Sequence, residues 1–376
     1  MRSRLFIALG VLASLPAVSI GQVRTGAERS ELIVEAFVNV TAAAADQSAE
    51  PARRMDASSV ATGFRALGRV TLGEGVDVGA RINVSSRDSD VRLTEASVLL
   101  FGAGGRLEIG VRMGLPDVLT GYAPNNFTFT GAEFGPASGP SLDPAGGLQL
   151  AFLDSGTAAQ LAPLTVLGFA AFLFDDISGK VLYVTPKASG FLGGISYAPQ
   201  ADDPRFGELV QLGLTHERYW SQNVLRWGGS YTFARGQQID MQERYRDLHS
   251  VNLGVTATLD DSLMLGAAVT FNGDSGLQAM SPAQTTSSAW GATASINYNT
   301  GPWTFGAYYQ VARAEGSLDV AGDDRLSALE AGLSYRFHTR MRLYGAWYYY
   351  DFTDEGGAGS TTGDANVALL GVRLTL

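Results

Sequence analysis

The feature that most constrains this chain is an alternation of apolar with small or polar residues over stretches of about ten, recurring from Glu31 to the end. In Trp290-Gly-Ala-Thr-Ala-Ser-Ile-Asn-Tyr298 the even positions are Trp290, Ala292, Ala294, Ile296 and Tyr298, and the odd positions are Gly291, Thr293, Ser295 and Asn297. Successive strand residues point to opposite faces, so such a stretch has one face for an apolar medium and one for water. The same division sets Leu225, Trp227, Gly229, Tyr231 and Phe233 against Arg226, Gly228, Ser230 and Thr232. It also sets Leu253, Val255 and Ala257 against Asn252, Gly254, Thr256 and Thr258. A soluble sandwich alternates too. Here the polar set is dominated by Gly, Ser, Thr, Asn and Arg, and connections alternate between short and long, as in a membrane-spanning barrel with turns on one side and loops on the other.

Read this way, strands are expected at 31–40, 58–72, 76–86, 92–101, 106–112, 180–186, 190–198, 207–218, 223–234, 249–259, 262–272, 288–298, 303–313, 327–337, 341–352 and 366–376. That is sixteen, an even number that leaves both termini on the periplasmic side. The fold class is therefore all-β, a 16-stranded antiparallel transmembrane β-barrel. The connection from Met113 to Gly179 is far longer than the others and needs a purpose. A helical membrane protein is excluded, because the longest apolar run, Leu161 to Phe174, is broken by Pro163 and Gly168 and falls short of the roughly 20 residues a spanning helix needs. Composition agrees, with 46 Gly, 14 Tyr and 18 Phe favouring strands and tight turns. With no Cys, disulfides, thiolate metal sites and Cys nucleophiles are all impossible.

The N-terminus has the form of an export leader: Arg2 and Arg4, an apolar core from Leu5 to Val18, then Ser19-Ile20-Gly21 with small residues where a signal peptidase acts. The expected organisation is a signal peptide over 1–21 and a barrel over 22–376. Loss of Arg2 and Arg4 takes the net charge from −10 to −12, which makes the chain a poor partner for nucleic acid.

The hairpin Gly102-Ala-Gly-Gly-Arg-Leu-Glu-Ile-Gly110 and the following Gly114-Leu-Pro-Asp-Val-Leu-Thr-Gly-Tyr-Ala-Pro124 carry a resemblance to the general porins of Gram-negative bacteria, in particular their alphaproteobacterial, Rhodobacter-type branch. The resemblance implies an outer-membrane diffusion channel for ions and small hydrophilic solutes, a homotrimer set in outer-membrane lipid and lipopolysaccharide, and a third loop, 113–179, folded inward as a constriction. One departure is the final Leu376, where such chains typically end on an aromatic residue.

With that alternation, Arg65, Arg69, Arg81, Arg106 and Arg112 share the lumen parity of their strands, as do Arg342 and Arg373 near the end. Strands one and sixteen are neighbours in a closed barrel, so Arg373 can join Arg65, Arg69 and Arg81 in a basic wall. The long loop carries Asp117, Glu133, Asp143, Asp154, Asp175 and Asp176, expected to face that wall across the narrowest point and create a transverse field. The alternative is that several of these arginines snorkel to the rims or pair along the wall. Tyr219, Trp220, Trp227, Tyr231, Trp290, Tyr298, Trp303, Tyr309, Tyr335, Phe337, Trp347, Tyr349 and Phe352 are read as lipid-interface aromatics. A sugar-stacking path would need aromatics of lumen parity, and Tyr308, Tyr344 and Tyr348 have it. A substrate-selective porin with a weak constriction site and an outer-membrane hydrolase are the alternative functions. The three histidines, His216, His249 and His338, show no metal or Ser-His spacing, and no cofactor is expected. The Asp202-Asp203, Asp260-Asp261 and Asp323-Asp324 pairs read as turn residues rather than Ca²⁺ ligands.

Overall fold

The computed structural model describes residues 30–47, 55–73, 75–87, 90–119, 177–239, 244–273, 289–315, 323–354 and 361–375. The expected leader, the apolar loop segment 148–174 and Glu133, Asp143, Asp154, Asp175 and Asp176 lie outside these residues, as does the side chain of Asp117. The strands are β1 (Ser30–Gln47), β2 (Met55–Gly73), β3 (Val76–Arg87), β4 (Asp90–Gly102), β5 (Gly105–Arg112), β6 (Ser178–Val184), β7 (Phe191–Gln200) and β8 (Phe206–Trp220). They continue as β9 (Asn223–Gly236), β10 (Leu248–Leu259), β11 (Leu263–Gly273), β12 (Ala289–Thr300), β13 (Trp303–Glu315), β14 (Asp323–His338), β15 (Met341–Asp354) and β16 (Thr361–Thr375). Each pairs antiparallel with its neighbours in the chain, and β16 pairs with β1, so sixteen strands close into one barrel. A short helix, α1 (Leu115–Leu119), follows β5.

All sixteen expected strands are present, with differences at their ends. β1 runs to Gln47 and β16 starts at Thr361, with Asp46 opposite Asn366 and Gln47 opposite Ala365. Beyond the lipid boundary the backbone ladder continues while outward residues no longer need to be apolar, so the hydropathy signal stops before the strand does. β6 ends at Val184 because Pro186, two residues on, has no N–H to offer a ladder. At the short-turn end Asp260 and Asp261 both adopt positive φ, 48° and 54°, between Leu259 and Leu263, which fits their reading as turn residues.

The outer face is apolar around the barrel, with Leu72 68%, Val91 67% and Leu370 59% exposed. In water each such side chain would forgo about 1.5–3 kcal/mol of burial, so this surface belongs in hydrocarbon. No helix among the described residues is long and apolar enough to cross a membrane, and the crossing is made by strands.

Closure is fastened from inside. Tyr344 on β15 lies flat across β16 and reaches β1, where its hydroxyl donates to Asn39 Oδ1 at 2.7 Å and lies 2.6 Å from Thr41 Oγ1. A phenol has one proton to give, so the Thr41 hydroxyl donates to Tyr344. The ring occupies the space a Cβ at Gly371 would take, and on the other side of β1 the Phe37 ring does the same over Gly63. The Arg373 guanidinium sits 4.9 Å from the Phe37 ring centre, adding a cation–π contact to the seam. Gly371→Ala is expected to displace Tyr344 and lower stability by about 1–3 kcal/mol. Gly345→Ala, where a Cβ meets only ordinary contacts at 3.6 and 3.7 Å, should cost less. Urea unfolding of the two variants in detergent, followed by heat-modifiable gel mobility, checks the order.

Candidate functional site

Sixteen strands enclose an aqueous lumen. Three sectors of its lining differ in chemistry, and between the first two β7 and β8 receive the third loop. The first, on β1–β6, is charged. Glu35 lies opposite Arg65, Arg65 opposite Asn83, and Asn83 opposite Glu95. Two residues along, Arg81 lies opposite Ser97, Ser97 opposite Gly110, and Gly110 opposite Lys180. Arg65 Nη1 is 3.6 Å from Glu35 Oε2, and Arg81 Nη1 is 3.7 Å from Glu95 Oε1. Glu108, 1% exposed, forms ion pairs with Arg106, whose Nε is 2.6 Å from Oε1, and with Arg112 on its other oxygen. Arg69 Nε donates to Asp77 Oδ2 at 2.8 Å and its guanidinium covers the Phe101 ring at 5.2 Å.

Thus Arg65, Arg69, Arg81, Arg106 and Arg112 all point inward, as parity requires, and carboxylates of the same wall stand between them. Glu35, Asp77, Glu95 and Glu108 are not among the expected site residues, though the alternative of arginines paired along the wall is the arrangement seen among the described residues. Their signal was available, since each shares the inward parity of its own strand. Arg373 also points inward but on β16, opposite Asn39 of β1 and Arg342 of β15.

The third loop leaves the wall at Arg112 and turns into the lumen at once. Leu115 and Leu119 of α1 are 0% and 3% exposed, packed with Leu182 and Val184 of β6. The Leu115 N–H donates to Gln211 Oε1 at 2.9 Å, an oxygen that also accepts from Ser196 Oγ at 3.0 Å. Room for the two leucines comes from Gly194 and Gly213: a Cβ at either would lie 2.7 Å from Leu115 Cδ1 or 2.6 Å from Leu119 Cδ1. Pro116 suits the first helical turn, where its missing N–H would have had no partner.

The second sector, on β9–β12, is polar, and its one charge among the described residues is Arg226 near the turn end, paired with Glu217 of β8 at 2.6 Å. Thr270 Oγ1 donates to Asn252 Oδ1 at 2.6 Å, Asn252 Nδ2 to Ser230 Oγ at 3.4 Å, and Ser250 Oγ to Asn272 Oδ1 at 2.6 Å. It faces the charged sector across the barrel, since seven strands lie between β3 and β11 on either side. The third sector, on β13–β16, is aromatic and apolar above inward Arg336, Arg342 and Arg373 at its turn end: Tyr308, Tyr348, Tyr350, Phe352, Val367 and Leu369 are all buried, and Tyr348 donates to Glu330 Oε1 at 3.0 Å. Phe352 corrects the reading of it as a lipid-interface aromatic. It is 2% exposed and shares the inward parity of Tyr344, Tyr348 and Tyr350, its place near a strand end notwithstanding.

Of the other aromatics of that reading, all but Tyr219 lie on the outer face of β8–β15, where Trp303 meets Tyr335 at 4.6 Å and Tyr335 meets Phe337 at 4.7 Å; Tyr219 shares the inward parity of Glu217 and lies 5.6 Å from Lys187 Nζ. The histidines fall on β8, β10 and β14. His216 stacks with Phe191 at 4.3 Å, and His249 Nδ1 lies 2.7 Å from the Tyr231 hydroxyl.

Solved structures with this architecture include OmpT, an outer membrane protein of Vibrio cholerae, folded in vitro. It is 12% identical with a TM-score of 0.63, over 94% of this chain and 99% of its own. An anion-selective porin from Comamonas acidovorans is 13% identical with a TM-score of 0.63, over 92% and 100%. A mutant Rh. blastica porin is 15% identical with a TM-score of 0.53, over 92% and 100%. At these identities the likeness shows the fold. No curated protein matches the chain at the sequence level. The Gram-negative porin family model matches residues 10–355, nearly the whole chain, and the chain belongs to that family.

Proposed function

We propose that the channel is a passive, non-enzymatic diffusion pore whose narrowest level is set by the charged wall of β1–β6 and the loop that begins with α1. The chain is an outer-membrane porin for ions and small hydrophilic solutes. The observation that carries the finer reading is the inward turn at Gly114–Leu119, which brings the backbone into the lumen beside Gln211, Gly194 and Gly213. Asp117, Glu133, Asp143, Asp154, Asp175 and Asp176 are proposed to complete the constriction opposite the guanidinium groups. Among the described side chains of the wall, Arg65, Arg69, Arg81, Arg106, Arg112 and Lys180 are interleaved with Glu31, Glu35, Asp77, Glu95 and Glu108, six cations with five carboxylates. A wall so nearly neutral favours weak selectivity with a strong local field, suited to polar and zwitterionic solutes.

Replacing Arg65 and Arg81 together by Ala leaves four cations against five carboxylates and exposes Glu35 and Glu95 to the lumen. The reversal potential in a salt gradient should move toward the cation limit, read by planar-bilayer recording. Unchanged conductance and permeability ratio would remove these residues from the constriction.

A homotrimer is proposed for the assembly, with β16 and β1–β5 facing its axis. All five tryptophans lie on β8–β15, and among the described residues Phe64 is the only outward aromatic on β16 and β1–β5. A lipid interface requires an aromatic belt and a protein interface does not, so its interruption marks where lipid is replaced by protein. One similar structure is itself described as a trimer form. Ala80→Trp on β3 should dissociate the trimer while remaining compatible with lipid, and Ala267→Trp on the outer face of β11 should not. Light scattering of the detergent complex distinguishes them.

A further inference from the structure

The two ends of the barrel carry opposite charge. The β2–β3 turn and every second connection after it lie at one end, with the start of β1 and the end of β16; the β1–β2 connection and every second one after it lie at the other. Between Ser30 and Thr375, the turns and the residues within four of a strand's turn end hold nine Lys and Arg against six Asp and Glu, Lys187, Arg226, Arg336 and Arg340 among the cations. The loops and the residues within four of a strand's loop end hold 11 Lys and Arg against 26 Asp and Glu. Glu108 and Lys180, on the short strands β5 and β6, meet both conditions and cancel. The turn end therefore carries +3 and the loop end −15, with −1 left between them.

The contrast does not depend on the long third connection. Without the six carboxylates of 113–177 the loop end is still at −9, and its strand ends alone hold ten carboxylates to six cations. Nor does it depend on what any one group touches, because partners at the same end are counted together, as Lys187 and Arg226 are with Glu217. Fixed charge fills a mouth with the opposite ion, so the loop end concentrates cations and the turn end anions. With the two zones in series, a voltage positive on the loop side drives cations in through the acidic mouth and anions in through the basic one, and the lumen fills with carriers. The opposite voltage draws each ion out through the mouth that favours it, and the lumen is depleted.

We propose that the acidic loop end and the basic turn end make this channel a rectifier, which passes more current when the loop side is positive. The inference rests on the porin reading for ion flow, and goes beyond it by giving that flow a direction. The test records single channels of the full chain in planar bilayers at equal voltages of either sign. Orientation is set by a bulky, membrane-impermeant maleimide polymer, which reacts with Thr339→Cys, in the β14–β15 turn of a chain with no other cysteine, only from the turn side. In about 0.1 M KCl, where the Debye length is about 10 Å, current with the loop side positive should exceed the reverse current roughly twofold. In about 1 M KCl, where that length is about 3 Å, the ratio should approach one. Arg336→Glu with Arg340→Glu takes the turn end from +3 to −1 and should move the low-salt ratio toward one, while Arg336→Lys with Arg340→Lys keeps both charges and should keep the ratio. Single Arg340→Glu, in an exposed turn, serves if the double variant does not fold. Equal currents at low salt, a larger current of the opposite sense, or a ratio that survives charge reversal overturns the rectifier and leaves the porin reading intact. Absence of conductance in the parent chain would instead sink the porin reading.

Discussion

A strand that crosses hydrocarbon can send its backbone hydrogen bonds only to its two neighbours. For fourteen of these strands both neighbours are adjacent in sequence, and for β1 and β16 one lies at the opposite end of the chain. Everything else in the molecule depends on that last pairing. The inside of the seam is built accordingly, with rings rather than methyl groups filling the space over β16 and β2: Tyr344 bridges Gly371 to reach Asn39 and Thr41, and Phe37 covers Gly63. Closure removes the exposed edge on which an open sheet would aggregate, and it forces every residue to face either lipid or lumen.

The lumen face carries far more varied chemistry than the lipid face. A bare guanidinium row near a low-dielectric wall is costly, since two unit charges at 4 Å repel by about 4 kcal/mol at an effective dielectric of 20. Glu35, Glu95 and Glu108 relieve that cost by standing between arginines on β1–β5, where register places acid and base within ion-pair reach. The wall therefore keeps a steep local field with little net charge. Opposite it, the Ser, Thr and Asn ladder of β9–β12 offers hydrogen bonds without selecting a sign. A dipolar solute passing between the two meets fixed charges on one side and orientable groups on the other.

How much of this was legible in sequence follows from which interactions are periodic. Strand number, face assignment and the inward direction of the arginines depend on a period of two, visible in any ten-residue window. Register depends on pairs far apart in the chain, so neither the Tyr344 bridge across Gly371 nor the packing of Leu115 and Leu119 into Gly194 and Gly213 had a local signal. Phe352 shows the opposite failure: its parity was readable, but position near a strand end was allowed to outweigh it. Glu95 and Glu108 share the inward parity of their strands, but which arginine each meets depends on register between strands, so pairing along the wall is legible only as an alternative.

Arg373 shows how register changes the meaning of one residue type. Parity groups it with Arg65 and Arg81, and closure puts β16 beside β1. Yet its cross-strand neighbours are Asn39 and Arg342, whereas Arg65 has Glu35 and Asn83. A guanidinium flanked by a carboxylate is neutralised within the wall, while Arg373, flanked by another guanidinium, lies over the aromatic face of Phe37 instead. The same residue type, at the same parity, sits in an ion pair on one strand pair and in a cation–π contact on another, and the pairing that separates the two settings exists only once the barrel has closed.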